Sequence, residues 1–160
     1  MGLDLRLLRL ARTRGHWRLL ERAANAYSRL GEHGAGWIAI GLLGAAIDPD
    51  RRTSWLRGAR IVAASYALNQ ILKFIVRRPR PELPGLPPLS RTITRLSFPS
   101  AHSTTAFAGA RAYSRLTSAP ALYTAAALTA ISRPYLGVHY PSDVLAGAAL
   151  GTLTAEAWPA

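Results

Sequence analysis

The sequence contains no cysteine, and only eight of its 160 residues are acidic. Without cysteine, disulfide bonds and thiolate metal sites are excluded, and the redox compartment is left undetermined. Long apolar stretches are missing as well, since most apolar runs are shorter than the roughly 20 residues that a bilayer core requires. No cleavable signal peptide is expected, because arginines interrupt the N-terminal region and leave no apolar stretch of adequate length.

The scarcity of acidic residues limits which metals and which partners the chain can bind. Asp143 is the only carboxylate between Leu83 and Ala155, so this part of the chain has no acidic cluster for Mg²⁺. We therefore expect neither a metal nor a cofactor. The 20 basic residues give a formal net charge of +12. A chain with this charge is expected to bind an anionic partner, either nucleic acid or an acidic membrane surface.

The segment Lys73 to Pro81 holds the only lysine of the chain, since all other basic positions are arginine. Lysine is a compact point charge and arginine offers a rigid fork of donors, so a site with both can bind a tetrahedral anion from two directions. Arg80 is the expected fork. Lys73 and Arg80 are about two helical turns apart, so they would share one face if the helix continued to the proline.

Two further segments carry polar residues of the same kind. Ser97 to Ser103 places Ser100 and His102 at a predicted helix start, where free backbone N–H groups and the helix dipole favour an anion. The last segment supplies Arg133, His139 and Asp143. On a helix, Asp143 would share a face with His139, hold one ring nitrogen and leave the other free to attack phosphorus. His139 is therefore the candidate nucleophile.

Together these segments resemble the tripartite signature of the type 2 phosphatidic acid phosphatase (PAP2) superfamily. Three motifs in the right order and with the right internal spacing are far more specific than a single short motif. The resemblance covers residues 73–143, about half of the chain. The signature reads here as Lys73, six residues and Arg80-Pro81; then Pro99-Ser100-Ala101-His102; then Ser132-Arg133, five residues, His139, three residues and Asp143.

The resemblance implies a helical bundle, a metal-independent phosphatase reaction through a phosphohistidine, and a phosphate pocket like that of vanadate-dependent haloperoxidases. It implies that His139 attacks phosphorus, that Asp143 orients it and that His102 protonates the leaving oxygen. The family usually has glycine where this chain has Ala101. The phosphate-binding residues that the resemblance implies are Lys73, Arg80, Ser100, Ala101 and Arg133.

Other interpretations are weighed beside this one. His16 and His33 are interpreted as structural, and Arg77 and Arg78 as a basic cluster that flanks a membrane. Two other function classes are left open: an oxidoreductase that uses vanadate in the same pocket, and a non-catalytic basic helical protein that binds nucleic acid or anionic lipid. A binding protein predicts salt-sensitive binding that survives His139→Ala, whereas an enzyme predicts turnover that is lost with it.

An all-α fold is predicted, a helical bundle with about five transmembrane helices plus an N-terminal amphipathic helix. It forms one domain over residues 1–160, with an amphipathic segment at 1–33 and a helical core at 34–158. The N-terminal segment, broken near Gly15, fits a helix at the membrane interface and equally a helix packed on the bundle. Residues 77–99 form a loop that is expected to cover or flank the pocket. The predicted core helices are Ala35–Ile47, Ser54–Val76, Ser103–Leu116, Pro120–Ile131 and Ser142–Trp158.

Membrane insertion is favoured, although the mean hydropathy is only +0.09, because the helical segments are rich in small residues that let transmembrane helices pack closely. Five crossings would place both active-site loops on the side of the N-terminus and the C-terminus on the opposite side. The arginines of the first segment outnumber those of the opposite loops. This bias predicts a multi-pass protein of the bacterial plasma membrane with a cytoplasmic active site.

The predicted function is hydrolysis of a phosphomonoester or diphosphate on a lipid carrier. A phosphatidyl phosphate, a polyprenyl phosphate or diphosphate, and a polyprenyl-phosphoribose phosphate all suit the expected pocket. The expected partners are this lipid phosphate and the membrane lipids. Nucleic acid is not expected, and the formation of a homo-oligomer is left open.

Overall fold

The computed structural model describes residues 2–159, which form seven α-helices and no β-strand. Residues 1 and 160, which the predicted domain includes, lie outside this described range. The all-α helical bundle that the sequence predicts is confirmed. The helices are α1 (Leu3–Thr13), α2 (Arg18–Leu30), α3 (Ala35–Ile47), α4 (Arg52–Val76), α5 (Ala101–Tyr113), α6 (Ala119–Tyr135) and α7 (Pro141–Ala157).

Four of the five predicted core helices differ at their ends from the prediction, and α5 and α6 differ the most. α5 begins at Ala101, before the predicted Ser103, because Ser100 occupies the N-cap position and its hydroxyl accepts from the Ser103 N–H. α6 continues beyond the predicted end to Tyr135 and passes through Pro134. A proline this close to the end of a helix removes one hydrogen bond without interrupting a following turn.

The apolar core surrounds α5, which packs against α4, α6 and α7. Tyr113 at the end of α5 is fully buried, and its hydroxyl donates to the carbonyl of Trp37 over 3.0 Å. Trp55 and Val62 of α4 belong to the same buried cluster. The polar start of α5 therefore lies at the opposite end of the helix from the aromatic part of the core.

α7 lies directly on α5 because two glycines leave no side chain between them. A Cβ atom at Gly151 would lie 2.1 Å from the carbonyl oxygen of Thr104, and one at Gly147 would lie 2.5 Å from the carbonyl oxygen of Ser100. The close approach brings the starts of both helices together. The Ser100 N–H donates to the carbonyl of Asp143 over 3.0 Å.

The two N-terminal helices pack on the bundle. Asp4 of α1 forms an ion pair with Arg78 at 2.8 Å, and the Tyr27 hydroxyl of α2 donates to the carbonyl of Ala125 over 2.7 Å. Their outer surface carries exposed leucines beside exposed arginines, and Leu3 and Leu19 are 71% and 73% exposed. The contacts show that both helices pack on the bundle, and a position at the membrane interface stays a prediction.

Several helices present large apolar side chains to the outside. Ile47, Ile75 and Leu145 are exposed by 82%, 70% and 71%, a surface of the kind that a bilayer covers. Within residues 2–159, the stretch Pro49–Val76 is long and apolar enough to cross a membrane. Arg18–Leu30 and Glu32–Ile47 together qualify as one further span, bent by 41°. The expectation of five crossings stays a prediction.

Asp4 and Trp158 lie at opposite ends of α4. Asp4 contacts Arg78, just after α4, whereas Arg57 near the start of α4 donates to the carbonyl of Trp158 over 3.0 Å. A helix of 25 residues is about 37 Å long. The described N-terminal helices therefore share their end of the bundle with Lys73, as the sequence predicts for the active-site loops.

Candidate active site

Most of the predicted site residues meet in one cavity of about 100 Å³ at the end of α4. The loop over residues 77–99 closes one side of it through Arg91 to Thr94, so this loop flanks the pocket as predicted. Asp143 lies behind the wall of the cavity, and Ser100 caps α5. The predicted residues that line the cavity are Lys73, Arg80, Ala101, His102, Arg133 and His139.

Arg80 reaches the cavity by a different path from the predicted one. α4 ends at Val76, and Arg77 adopts a left-handed conformation with φ of 53° that turns the chain away. The expectation that Lys73 and Arg80 share a helix face is therefore wrong. Instead, residues 78–80 pair with the segment near Leu96, and the Arg80 Nε atom donates to the carbonyl of Thr94 over 2.8 Å.

The contact with the Arg80 guanidinium indicates which ring nitrogen of His139 carries the proton. Its Nη1 atom donates to the carbonyl of Val138 over 2.6 Å and lies 3.2 Å from Nε2 of His139. Because a guanidinium has no acceptor, Nε2 must accept, and the ring proton lies on Nδ1. Burial, joined by the charge of Arg80, lowers the pKa of His139 to about 3, so its ring is neutral at neutral pH.

Burial also lowers the pKa of Arg80, to about 10, and the group keeps its charge at neutral pH. A neutral histidine with its lone pair on Nε2 is a nucleophile, whereas an imidazolium is not. The arrangement of Arg80 and His139 therefore joins a permanent cation to a ring nitrogen that can attack phosphorus.

Asp143 holds the other side of the histidine ring. The expectation that His139 and Asp143 share a helix face is wrong, because His139 precedes α7 and Asp143 lies in its first turn. The Oδ2 atom of Asp143 lies 3.5 Å from His139 Nδ1 and accepts from the backbone N–H of Tyr140 over 2.9 Å. The hydroxyl of Ser97 donates to the same oxygen. The start of α7 thus fixes the carboxylate against the ring.

Lys73 is 3% exposed and holds the chain that precedes α5. Its ammonium donates to the carbonyl of Pro99 over 3.0 Å and to those of Leu96 and Ser97 over 3.4 Å each. The lone lysine therefore adds positive charge to the cavity wall and positions the segment that carries Ser97.

Arg133 is also 3% exposed, and its Nη1 atom donates to the hydroxyl of Ser28 in α2. Its Nε atom is buried and has no hydrogen-bond partner within residues 2–159. A buried N–H group without a partner destabilises a fold by about 1–3 kcal/mol. Arg12 and Arg57 also have a buried Nε atom without a partner in the described residues, but only that of Arg133 belongs to a residue that lines the cavity. Arg133 is thus a cation with a donor to offer to an anion.

His102 and Ser100 differ in whether they reach the cavity. His102 lines the cavity, and its Nε2 atom lies 3.1 Å from the carbonyl of Ser28, to which it donates. Nδ1 is then the nitrogen left for a leaving oxygen. The hydroxyl of Ser100 is fully buried and is used as the α5 cap, where Ser103 donates to it, so the structure does not bring it to the cavity.

Four residues that contact the site carry no role in the sequence analysis: Asp4, Ser28, Arg78 and Ser97. The sequence pattern predicts Arg78 to belong to a basic cluster that flanks a membrane. The structure corrects this, because Arg78 donates to Asp143 over 2.9 Å and to Asp4 over 2.8 Å and stacks on the Tyr140 ring. The one signal in the sequence was Asp4, an acidic residue isolated among N-terminal arginines.

Comparison with known proteins agrees with this geometry. A family model described as the PAP2 superfamily matches residues 56–159. The chain belongs to the PAP2 superfamily. The match covers the three segments that converge on the cavity.

Named relatives of this PAP2 chain are phosphatases. The decaprenylphosphoryl-5-phosphoribose phosphatase of Mycobacterium tuberculosis is 42% identical over 80% of this chain and 72% of its own length. The crystal structure of Aquifex aeolicus LpxE superposes with a TM-score of 0.81 at 27% identity, over 98% of this chain and 94% of its own. A transmembrane PAP2-type phosphatidylglycerolphosphate phosphatase from Bacillus subtilis gives a TM-score of 0.76 at 26% identity, over 96% and 81%.

The predicted family and class of activity are confirmed: the protein is a PAP2 hydrolase that acts on lipid phosphate esters, and it is a membrane protein. The alternative of a non-catalytic binding protein is therefore set aside. The individual roles of the site residues stay predictions.

The contacts of Arg78 with Asp143 predict that this arginine supports catalysis. Arg78→Gln removes a charged donor from the buried carboxylate of Asp143, so His139 loses its fixed orientation. Hydrogen bonds to charged groups contribute about 1.5–3 kcal/mol, so we expect kcat to fall about 10- to 100-fold with little change in KM. Steady-state phosphate release measures both constants.

Arg77→Gln is the matched control, since Arg77 is the adjacent arginine and is exposed. It should retain kcat within about twofold. Thermal unfolding in detergent checks that both variants fold. Equal kcat values for folded Arg77→Gln and Arg78→Gln would contradict the positioning role.

Proposed function

We propose that this phosphatase removes the terminal phosphate of a polyprenyl-phosphoribose phosphate through a phosphohistidine at His139. The observation that carries the proposal is the ring of His139, whose unprotonated Nε2 atom contacts the Arg80 guanidinium in a cavity lined by further cations. A phosphate dianion in such a cavity would find both the nucleophile and its counter-charges in fixed positions.

The choice of lipid is supported by the 42% identity to decaprenylphosphoryl-5-phosphoribose phosphatase, which extends over 80% of this chain. The proposed substrate joins the lipid carrier to a sugar and carries the scissile phosphate as a monoester on that sugar. Phosphatidyl phosphates and polyprenyl phosphates or diphosphates are the other lipids that the experiment below compares.

In the first proposed step, Nε2 of His139 attacks phosphorus in line with the ester bond. A P–N bond forms, the P–O ester bond breaks, and the electron pair goes to the leaving oxygen. This step starts with His102 protonated on both ring nitrogens, a state that the negative charge of the bound phosphate favours, and His102 donates its Nδ1 proton to this oxygen. Asp143 stabilises the Nδ1 proton of His139 as the ring becomes positive. Lys73, Arg80 and Arg133 stabilise the charge on the non-bridging oxygens.

In the second proposed step, water attacks the phosphohistidine. His102, now neutral, accepts a proton from the water as its oxygen bonds to phosphorus. The P–N bond breaks, its electron pair returns to Nε2 of His139, and inorganic phosphate is released. Both steps use side chains of this chain and need no further reactant than water.

The substrate panel tests this proposal. Detergent-purified protein is given polyprenylphosphoryl-5-phosphoribose, phosphatidic acid, and a polyprenyl phosphate and diphosphate, with chelator present. We expect the highest kcat/KM for the phosphoribose lipid. His139→Ala should lose at least about 10³-fold in kcat, because it removes the nucleophile.

His16→Gln is the matched control, because His16 is a histidine that pairs with Glu21 outside the cavity. It should keep kcat within a few-fold of the unsubstituted protein. Equal phosphate release by His139→Ala would contradict the nucleophilic role. A higher kcat/KM for phosphatidic acid would overturn the choice of lipid while leaving the mechanism in place.

We further propose that the protein crosses the bacterial plasma membrane several times with its active site toward the cytoplasm. Arginines are concentrated in the N-terminal helices, which share the active-site end of the bundle through the contact between Asp4 and Arg78. Positive charge of this kind is retained on the cytoplasmic side.

The lack of cysteine makes the orientation simple to test, since a single introduced cysteine is the only reactive thiol. Glu82 lies exposed in the active-site loop, and Asp50 lies exposed at the opposite end of α4. In intact cells, a membrane-impermeant maleimide should label Asp50→Cys and leave Glu82→Cys unlabelled. The reverse pattern would contradict the cytoplasmic orientation.

A further inference from the structure

A second, larger cavity of about 580 Å³ lies beside the catalytic one, between α2 and the loop over residues 77–99. One wall is a single face of α2, since Arg22, Asn25 and Arg29 follow one another at helical spacing. Arg91 of the loop lines the other wall. None of these four residues belongs to the family signature or to the mechanism described above.

The charge of this second cavity is positive. The guanidinium groups of Arg22, Arg29 and Arg91 make no ion pair or hydrogen bond to any side chain or carbonyl in residues 2–159. Two acidic residues, Glu21 and Glu32, also line this cavity, and Glu21 lies 3.0 Å from His16. The four arginines of the lining therefore outnumber its carboxylates two to one. This excess of guanidinium groups around one space favours an anion there.

The two cavities share a wall, since His102 and Arg133, together with Glu32 and Arg91, line both. Ser28 joins this wall, because its carbonyl accepts from His102 and its hydroxyl accepts from Arg133. The Arg133 guanidinium, buried with an Nε donor that has no partner in residues 2–159, therefore stands between both spaces. A single ligand can extend from one cavity into the other past His102.

The position of His102 determines which part of a substrate lies on this side. His102 would protonate the leaving oxygen, so the alcohol attached to that oxygen lies beyond His102. The space there is polar and cationic. It suits a leaving alcohol that is itself hydroxylated and anionic, whereas the alcohol released from phosphatidic acid is a neutral diacylglycerol.

Asn25 adds a group that suits a sugar. Its Nδ2 atom donates to the carbonyl of Leu89 over 2.8 Å, which fixes the side chain to the loop. Its Oδ1 atom is left as an acceptor for a hydroxyl group. The side chains of Arg22 and Arg29 flank this amide on the same face of α2.

We propose that the second cavity is a leaving-group subsite that binds the sugar and the second, unhydrolysed phosphate of a glycosyl phospholipid substrate. Arg22, Arg29 and Arg91 bind the phosphodiester anion, and Asn25 binds a sugar hydroxyl. The assignment rests on the proposed function, since it takes His102 as the acid that faces the leaving oxygen. It makes α2 and the loop the determinants of substrate choice.

The experiment compares two substrates in a neutral detergent. Short-chain polyprenylphosphoryl-5-phosphoribose carries the second phosphate, and short-chain phosphatidic acid lacks it. Arg22→Ala, Arg29→Ala and Arg91→Ala should each lower the ratio of kcat/KM for the phosphoribose lipid to that for phosphatidic acid by roughly tenfold, the effect of losing one charged contact. Arg9→Ala is the matched control, because Arg9 is an exposed arginine of α1 outside both cavities, and its ratio should stay constant.

A binding measurement separates failure of the subsite from failure of the proposed function. Calorimetry with the inert His139→Ala protein should show that each cavity substitution weakens binding of the phosphoribose lipid about tenfold. Absence of turnover with every lipid would overturn the proposed function, while the binding result still decides the subsite. Unchanged ratios and unchanged binding in the cavity variants would overturn the subsite alone.

A third arm distinguishes the substrate's phosphate from the headgroups of membrane lipids. The same kinetics are repeated in vesicles of phosphatidylcholine with and without phosphatidylglycerol. If the subsite binds the substrate, the ratio falls in detergent and in both kinds of vesicle. A loss that affects both substrates equally, or that is seen only with phosphatidylglycerol, would overturn the proposal in favour of headgroup binding.

Discussion

The buried carboxylate of Asp143 is the group on which the arrangement of the site depends. It accepts from the hydroxyl of Ser97, the backbone N–H of Tyr140 and the guanidinium of Arg78, and its own carbonyl accepts from the N–H of Ser100. These donors come from the segment before α5, the loop after α4 and the start of α7. One fully buried acid therefore ties together the three segments that carry the family signature. Because burying an unpaired charge costs free energy, the folded protein keeps these donors in the positions that pair the Asp143 carboxylate.

This constraint explains the electrostatics of the cavity. The Asp143 carboxylate faces the Nδ1 side of His139, and the cations lie on the Nε2 side. The histidine stays neutral because burial and the charge of Arg80 lower its pKa. Buried cations without a matching acid would be unfavourable in a structural core. In this cavity backbone carbonyls hold the cations in place, and three of these carbonyls accept from Lys73. The cations are therefore available to stabilise the negative charge that develops on the phosphoryl group.

Much of the candidate site could be predicted from the sequence, but the path that assembles it could not. The motif spacing identified six residues that line the cavity, because three motifs at fixed spacing are specific to a family. The two arguments from helix faces were wrong, since Arg77 turns the chain after α4 and His139 stands before α7. Asp4 and Ser28 could not have been found from local patterns. Both act through contacts between segments that are distant along the chain, and neither propensity nor periodicity reports such contacts.

The central claim is that phosphorus is attacked twice, first by His139 and then by water. The stereochemistry at phosphorus tests it most directly, because each in-line displacement inverts the configuration. A substrate whose transferred phosphoryl group is made chiral with oxygen isotopes and sulfur would be hydrolysed in isotopically labelled water, and the configuration of the released thiophosphate determined. The account predicts overall retention, from two inversions. Inversion would contradict it, since a single displacement by water leaves no place for a phosphohistidine.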